Sequence, residues 1–439
     1  MAMRDLLILT IVGLLGLAAL RKPWIGVMLW TWLSILNPHR YSFGITYDMP
    51  LAAAAAICTF VGFLMTSDER SSPFKSAAVM ALALFMGWMT LSWFNGLDTT
   101  KDYDQWIKVM KIDGMVLVAL MLLHTKRHVL ALAWVSVGSL LVLGVKGGIF
   151  TVISGGNERV WGPPGTFIED NNEFGLALIM AIPIMRFMQQ QLKSIWARAG
   201  MTAAMLLCAA AALGTQSRGA LLAISAMGLM FWWSGKNRLI NGVMIGLVAV
   251  SLVGFMPESW ISRMNTIETY ELDTSAQGRL AAWSAAWNMS FDYPTGVGFN
   301  TVRQELFDRY SHNPAAGARA AHSIYFQALG NHGFVGLALF LAIWVITWLQ
   351  AGWLRKAADK SPHAKWCADL GAMAQVSLMG YFVGGAFLSL SYFDLPYDIM
   401  VMVVVARMWV LKKAWEREAK VAVPAQATMR EPLGALRQV

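Results

Sequence analysis

The sequence predicts an all-α polytopic membrane protein with about twelve transmembrane helices, twelve or thirteen, and one large helical loop on the outer side. Three observations predict it. Of 439 residues, 57% are hydrophobic and only 14% are charged. Apolar runs recur at lengths near the roughly 20 residues that a helix needs to cross the hydrocarbon core. One polar stretch, residues 256–332, breaks that rhythm. Twenty tryptophans suit anchoring at the two interfaces, and the formal charge of +9 matches a lysine and arginine excess in cytoplasmic loops. No basic face interleaved with aromatics points to nucleic acid. Cys58, Cys208 and Cys367 each lie in an apolar run, without the paired spacing of a zinc site or a disulfide framework.

Taken in order, the first run (Leu6 to Leu20, after Arg4) reads as a membrane segment and not a cleaved leader, because many spans follow. The candidate spans are 5–20, 24–37, 50–66, 76–95, 112–124, 128–150, 172–189, 196–214, 217–233, 238–255, 333–354, 366–391 and 395–411. The first two are short for full crossings, hence twelve or thirteen. Orientation comes from the C-terminal end, where Arg355, Lys356, Lys360 and Lys365 fill one loop and Lys412, Lys413, Arg417 and Lys420 follow the last span. Both belong in the cytoplasm. Counting back puts Lys236 with Arg238, Lys193 with Arg198, and Lys126 with Arg127 inside, and the 256–332 loop outside. The same count puts Arg21 and Lys22 inside and the N-terminus outside, against the charge of Arg4. The chain thus divides into an N-terminal transmembrane bundle (1–255), the loop (256–332), C-terminal transmembrane helices (333–412), and a cytoplasmic tail (413–439) expected to be disordered.

Chemistry is expected in the loop. It holds Arg263, Arg279, Arg303, Arg309 and Arg319, three histidines and no lysine. The guanidinium fork suits phosphate and pyrophosphate; seven carboxylates in the same stretch leave solvated surface charge as the alternative for any one arginine. Leu280, Trp283 and Trp287 recur at helical spacing, as do Val302, Leu306 and Tyr310, predicting two amphipathic helices against the membrane surface. Pro294, Gly296, Gly298 and Asn300 supply the turn between them. Gly296-Val-Gly298 lacks the strand and third glycine of a dinucleotide fingerprint.

His322 and Ser323 precede the run that leads into the span at 333, with Gly330, Gly333 and Gly336 below them. A helix is expected to begin near His322. In its first turn the positive end of the dipole keeps an imidazole neutral and ready to accept a proton; the alternative is a plain interfacial histidine. Small residues such as these glycines also let membrane helices approach closely. Arg218 follows Gly214-Thr-Gln-Ser217, with Ser217 the expected N-cap. An arginine in a first turn on the outer face opposes both the dipole and the positive-inside bias, and a bound anion would offset both. Snorkelling to headgroup phosphates is the alternative. A further outer cluster comprises Lys146, Arg159 and the run Glu169 to Glu173. There Asp170 and Asn172 suit helix capping or substrate contact, and Arg159 a second phosphate contact. Asp102-Tyr-Asp104 is similar to the paired-aspartate metal site of some glycosyltransferases, but Lys101, Lys108 and Lys111 surround it, and it reads as a solvated loop.

These residues together resemble the bacterial O-antigen ligase family, within the superfamily that also holds O-antigen polymerases and protein O-oligosaccharyltransferases. The resemblance covers most of the chain. Ser217-Arg218-Gly219-Ala220, Gly278-Arg279 with Trp283, Pro294-Thr-Gly296-Val-Gly298, and His322-Ser323 followed after nine residues by Gly333 carry it. Trp161-Gly-Pro-Pro-Gly165 to Glu173 is similar to a subgroup associated with exopolysaccharide and exosortase systems. The resemblance implies a bacterial inner-membrane enzyme with its site facing the periplasm. It moves a glycan from undecaprenyl pyrophosphate to a sugar hydroxyl of lipid A-core, needing neither nucleotide sugar nor metal nor other cofactor. His322 would be the base; Arg218 and Arg279 would hold the pyrophosphate. Arg159, Lys146, Asp170, Asn172, Ser323 and Arg303 are the further candidates for donor or acceptor contact. A polymerase or protein O-oligosaccharyltransferase of the same superfamily is the nearest rival. A lipid-linked glycan transporter is the rival from another class, although charges at mid-span or helices broken in corresponding halves are not evident.

Overall fold

The computed structural model describes residues 3–67, 70–235, 237–265, 274–358 and 362–416. Lys236, Lys360 and the tail from 417 onward therefore lie outside the described residues. Every regular element among those described is helical. Helices α1 (Met3–Arg21), α2 (Pro23–Leu36) and α3 (Leu51–Met65) pack together at one edge. Next come α4 (Ala77–Phe94), α5 (Thr99–Leu122), α6 (Lys126–Ile153), α7 (Asn171–Gln191), α8 (Ile195–Gly214), α9 (Arg218–Ser234) and α10 (Arg238–Gly254). The loop region forms α11 (Glu258–Asn265), α12 (Thr274–Asp292) and α13 (Gln304–Tyr310). Three helices follow: α14 (Ile324–Ala358), α15 (Lys365–Gly385) and α16 (Asp394–Leu411).

Five helices (α1, α4, α6, α8 and α14) are long and apolar enough to cross a membrane, and the pair α10 and α11, bent by 110° at its break, would make a sixth. Length and composition thus carry five or six of the twelve or thirteen expected crossings. Helices α7, α15 and α16 are buried almost throughout and form the centre of the bundle. Lining by protein lets them carry polar groups that lipid would penalise. Pro183 removes a donor inside α7, and nearby the Ser377 hydroxyl on α15 donates to the Met180 carbonyl at 2.7 Å. Asp394, at the start of α16, accepts from the Ser34 hydroxyl at 2.6 Å.

The longest helix, α14, is broken at Gly333, where φ is +67° and ψ −173°. A helix interrupted at that point strands the carbonyls one turn earlier. Other elements take up all four of them. Leu329 O accepts from the Ser290 hydroxyl (3.2 Å), Gly330 O from Val297 N (3.3 Å), and Asn331 O from Gly298 N (3.1 Å) and the Ser92 hydroxyl (2.8 Å). His332 O accepts from the Trp88 indole (2.8 Å). The buried His332 ring is itself held between the Ser92 and Tyr392 hydroxyls at 2.9 and 2.7 Å. The Pro294–Gly298 turn is therefore the clamp that satisfies this kink.

Two sequence expectations change, at Asp102 and at His322, and the helices of the loop region show which of their faces pack on the protein. Asp102 is not in a solvated loop: α5 starts at Thr99, well before the expected span at 112, because Asp98 caps it by accepting from Lys101 N at 3.1 Å. Asp102 is 1% exposed, accepts from Phe299 N at 2.8 Å and faces the Arg303 guanidinium at 3.7 Å. On α12 the buried stripe is Ala281, Ala282, Ala285, Ala286 and Met289, while Trp287 stays 49% exposed. Alanines allow the close approach to α14 that larger side chains would prevent. Before α13, Val302 is likewise exposed, and only Leu306 and Tyr310 of its expected stripe enter the small core of the loop region. Finally, α14 begins at Ile324, so His322 lies outside its first turn.

Candidate functional site

The turn from α8 into α9 is the first part of the site. Gln216 takes φ +55°, and the Ser217 hydroxyl caps α9 by accepting from Ala220 N at 3.2 Å, as the sequence led us to expect. Arg218 is the first residue of α9. Gln216 draws two more arginines to it: Arg159 Nε donates to its side-chain oxygen at 3.3 Å and Arg263 Nε to its carbonyl at 3.0 Å. Its own amide donates to the Gly156 and Asn157 carbonyls. Arginines from three separate segments therefore meet at one turn.

The start of α7 leans on the same turn, because the Asn171 amide donates to the Thr215 carbonyl at 2.7 Å. Asp170 caps α7, accepting from Asn172 N at 2.9 Å and from the Asn172 amide at 2.8 Å. Burial works against the Asp170 carboxylate, but hydrogen bonds from Glu173 and Asn172 outweigh it and hold its carboxyl below the usual range. One turn on, the Glu173 side chain is 9% exposed and its Oε1 stands 3.9 Å from Nδ1 of His322. Its other oxygen is buried without a hydrogen-bond partner.

His322 sits at φ +43°, in the left-handed region. A non-glycine residue there costs of order 1 kcal/mol, so its neighbours must hold it. Ser323, buried, caps α14: its carbonyl accepts from Gln327 N at 2.8 Å and its hydroxyl is 3.5 Å from Phe326 N. On the other side the Trp283 indole donates to the Ala321 carbonyl at 2.7 Å, and its ring stacks on Phe326 at 5.0 Å and 9°. The His322 ring is left 42% exposed, facing a carboxylate. The ring thus faces the Glu173 side chain from a position just before α14, not from within its first turn.

Arg279 lies one helical turn before Trp283 on α12, with its Nε buried. Gly278 beside it has a steric role: a methyl group there would stand 2.0 Å from the Arg319 guanidinium, which packs across this point of the helix. Phe387 joins the two halves of the site. Its ring is 6.3 Å from that of Trp283, and its Cβ lies 3.5 Å from where a Cβ on Gly219 would be.

Two of the candidates are engaged elsewhere. Arg303 braces the 298–303 segment against α5 through Asp102 and donates to the Asn300 carbonyl at 3.2 Å. Lys146 lies within α6, two turns before its end, with its ammonium 5.8 Å from the Tyr41 ring. Conversely, Glu173, Arg263 and Arg319, named in the sequence only as members of the 169–173 run and of the loop arginines and given no role of their own, enter the neighbourhood. Glu173 stands three residues after the capping Asp170, the position of a capping box, so local pattern assigned it to the helix end. Only the approach of the 321–323 segment gives it a histidine.

These features define a multi-pass helical membrane protein that gathers arginines, a histidine and a buried carboxylate at one rim of its bundle. Residues 203–341 match the family model described as O-antigen ligase, and this domain supports a place in the O-antigen ligase and polymerase superfamily, whose members are membrane glycosyltransferase-like enzymes. Residues 3–193 match a second model, a family of unknown function (DUF5935). The search of curated proteins finds no match. The O-antigen ligase segment contains Arg218, Arg279, His322 and the kink at Gly333; the other contains Arg159, Asp170 and Glu173.

Proposed function

We propose that the protein is an inverting glycosyltransferase of the inner membrane, transferring an O-antigen glycan from undecaprenyl pyrophosphate to a sugar hydroxyl of lipid A-core on the periplasmic face. His322 takes the proton of the acceptor hydroxyl as that oxygen bonds to the anomeric carbon. The bond from that carbon to the pyrophosphate oxygen breaks, and undecaprenyl pyrophosphate leaves. Arg218 and Arg279 carry the charge that grows on the leaving group, the part a divalent ion plays in many transferases, so no metal is required. Displacement from the face opposite the leaving group inverts the anomeric centre.

The observation that carries the reading is the His322 turn. A half-exposed imidazole, backed by a buried carboxylate, projects beside a segment that also positions the arginine-bearing turn. Burial pushes the Glu173 carboxyl up, towards its neutral form, and a positive charge forming on His322 would draw it back to the carboxylate that stabilises the imidazolium. Replacing its charge but keeping its shape, in Glu173→Gln, is expected to slow transfer on the order of tenfold with donor affinity unchanged. Equal transfer rates in the two proteins would remove Glu173 from the mechanism.

Purified protein given labelled lipid-linked donor and lipid A-core should form a lipid A-linked product of inverted anomeric configuration. Donor alone should give no chain growth; growth without lipid A-core would make the protein a polymerase instead. Transfer to an offered acceptor protein would identify an oligosaccharyltransferase. Arg218→Lys and Arg279→Lys, which keep charge but lose the planar fork, should each cost about tenfold to a hundredfold in transfer. Full activity in both variants would show that the pyrophosphate is held by other groups.

A further inference from the structure

The helix that starts at the candidate site ends at a second feature. At about 1.5 Å per residue, α7 places Gln189 about 27 Å from Asn171, close to the thickness of a bilayer's hydrocarbon core. A cavity of about 530 Å³ opens there. Lys126, Arg186, Arg198 and Lys365 line it, against one acid, Asp369. None of the four cations forms an ion pair among the described residues.

Three of these cations sit in the first turn of their helices: Lys126 in α6, Arg198 in α8 and Lys365 in α15. The positive ends of three helix dipoles therefore converge on a hollow already rich in cations. Each of these placements is unfavourable alone, and an anion in the hollow offsets all of them at once. Both arginines are held in place by one buried side chain. Gln189, 4% exposed, accepts from Arg186 through its oxygen and donates to the Arg198 carbonyl and the Thr202 hydroxyl, both at 2.7 Å. Arg198 Nε is spent on the Leu192 carbonyl at 2.9 Å, which leaves the rest of its fork to face the cavity. The Lys126 ammonium lies 5.7 Å from the ring of Trp366, a largely buried side chain of the lining.

We propose that this cavity is a phosphate-binding site, for a phospholipid headgroup or a free phosphate or pyrophosphate, on the membrane face opposite His322. Fixed guanidinium and ammonium groups, backed by the positive ends of helix dipoles, are what such a group requires. Its size fits a headgroup phosphate better than a bare monatomic ion.

The test uses the full chain in uncharged detergent at low salt. Binding of pyrophosphate, inorganic phosphate and phosphatidylglycerol is measured by native mass spectrometry and by the shift in unfolding temperature, with phosphatidylcholine as the zwitterionic control. Wild-type protein should bind at least one anionic probe, and Arg186→Gln with Lys365→Gln should weaken that binding at least tenfold. Retention of phosphatidylglycerol alone identifies a headgroup site; binding of pyrophosphate or phosphate identifies a soluble anion. Lys365→Gln alone, at an exposed helix start, should weaken binding on the order of threefold to tenfold and serves if the double variant unfolds. The proposal fails if no anionic probe binds, if phosphatidylcholine binds equally, or if the variants bind like wild type. That last outcome would assign the anion to the site around Arg218.

Discussion

His322→Ala is expected to lower glycan transfer by about a hundredfold to ten-thousandfold, the range that a positioned general base contributes. Donor lipid should bind as before, because in the proposed mechanism the imidazole would touch the acceptor hydroxyl and not the pyrophosphate. The loss should appear at saturating donor and acceptor, in kcat, since the interaction is made as the proton moves. Folding is not at stake: the ring is 42% exposed, and its nearest charged partner is 3.9 Å away. His322 occupies a left-handed turn at φ +43°, so His322→Asn, which tolerates that conformation better than alanine, separates backbone from chemistry. It too should be inactive. Transfer by either variant at more than about a tenth of the wild-type rate would exclude a general base at this position.

Gly333→Ala should be the most destabilising single substitution in the kink of α14. The residue sits at φ +67° and ψ −173°, a region essentially confined to glycine, which costs an L-residue about 1–3 kcal/mol. In addition its new methyl would stand 2.3 Å from the Pro294 carbonyl oxygen. Relief requires the 294–298 turn to move off the helix, and that turn supplies donors to the Gly330 and Asn331 carbonyls. The combined loss should reach about 3 kcal/mol or more, read as a drop of several degrees or more in thermal unfolding in detergent. Gly317→Ala is the control. Gly317 has a similar backbone, φ +76° and ψ 152°, but no atom within 4 Å of an added Cβ, so it should cost the backbone contribution alone, about 1–3 kcal/mol, and less than Gly333→Ala. Similar midpoints for the two variants would mean that backbone conformation, and not the clamp on the kink, sets the cost.

Local signals in the chain were legible where the physics is local. The serine and the aspartate that cap α9 and α7 act on backbone N–H groups two or three residues away, and both do so. The polar break at 256–332 likewise marks the region where α11, α12 and α13 form. Hydrophobic spacing located α12, while which of its faces packs on the protein depends on how near α14 comes, and there the alanine face is buried. Local charge misled at α5, where charges that look solvated belong to a helix whose Asp102 meets a backbone amide from the distant 298–300 turn.

By itself, then, the sequence determined that this is a helical membrane protein, which arginines and which histidine are candidates, and the family they resemble. Composition, capping and short motifs all act over a few residues. Only the tertiary structure decided which groups face one another. It set Glu173 against His322, joined Arg159 and Arg263 to the turn that carries Arg218, and gave Arg303 to Asp102. Those pairings join parts of the chain far apart in order, and helix packing, which no local pattern encodes, brings them within reach.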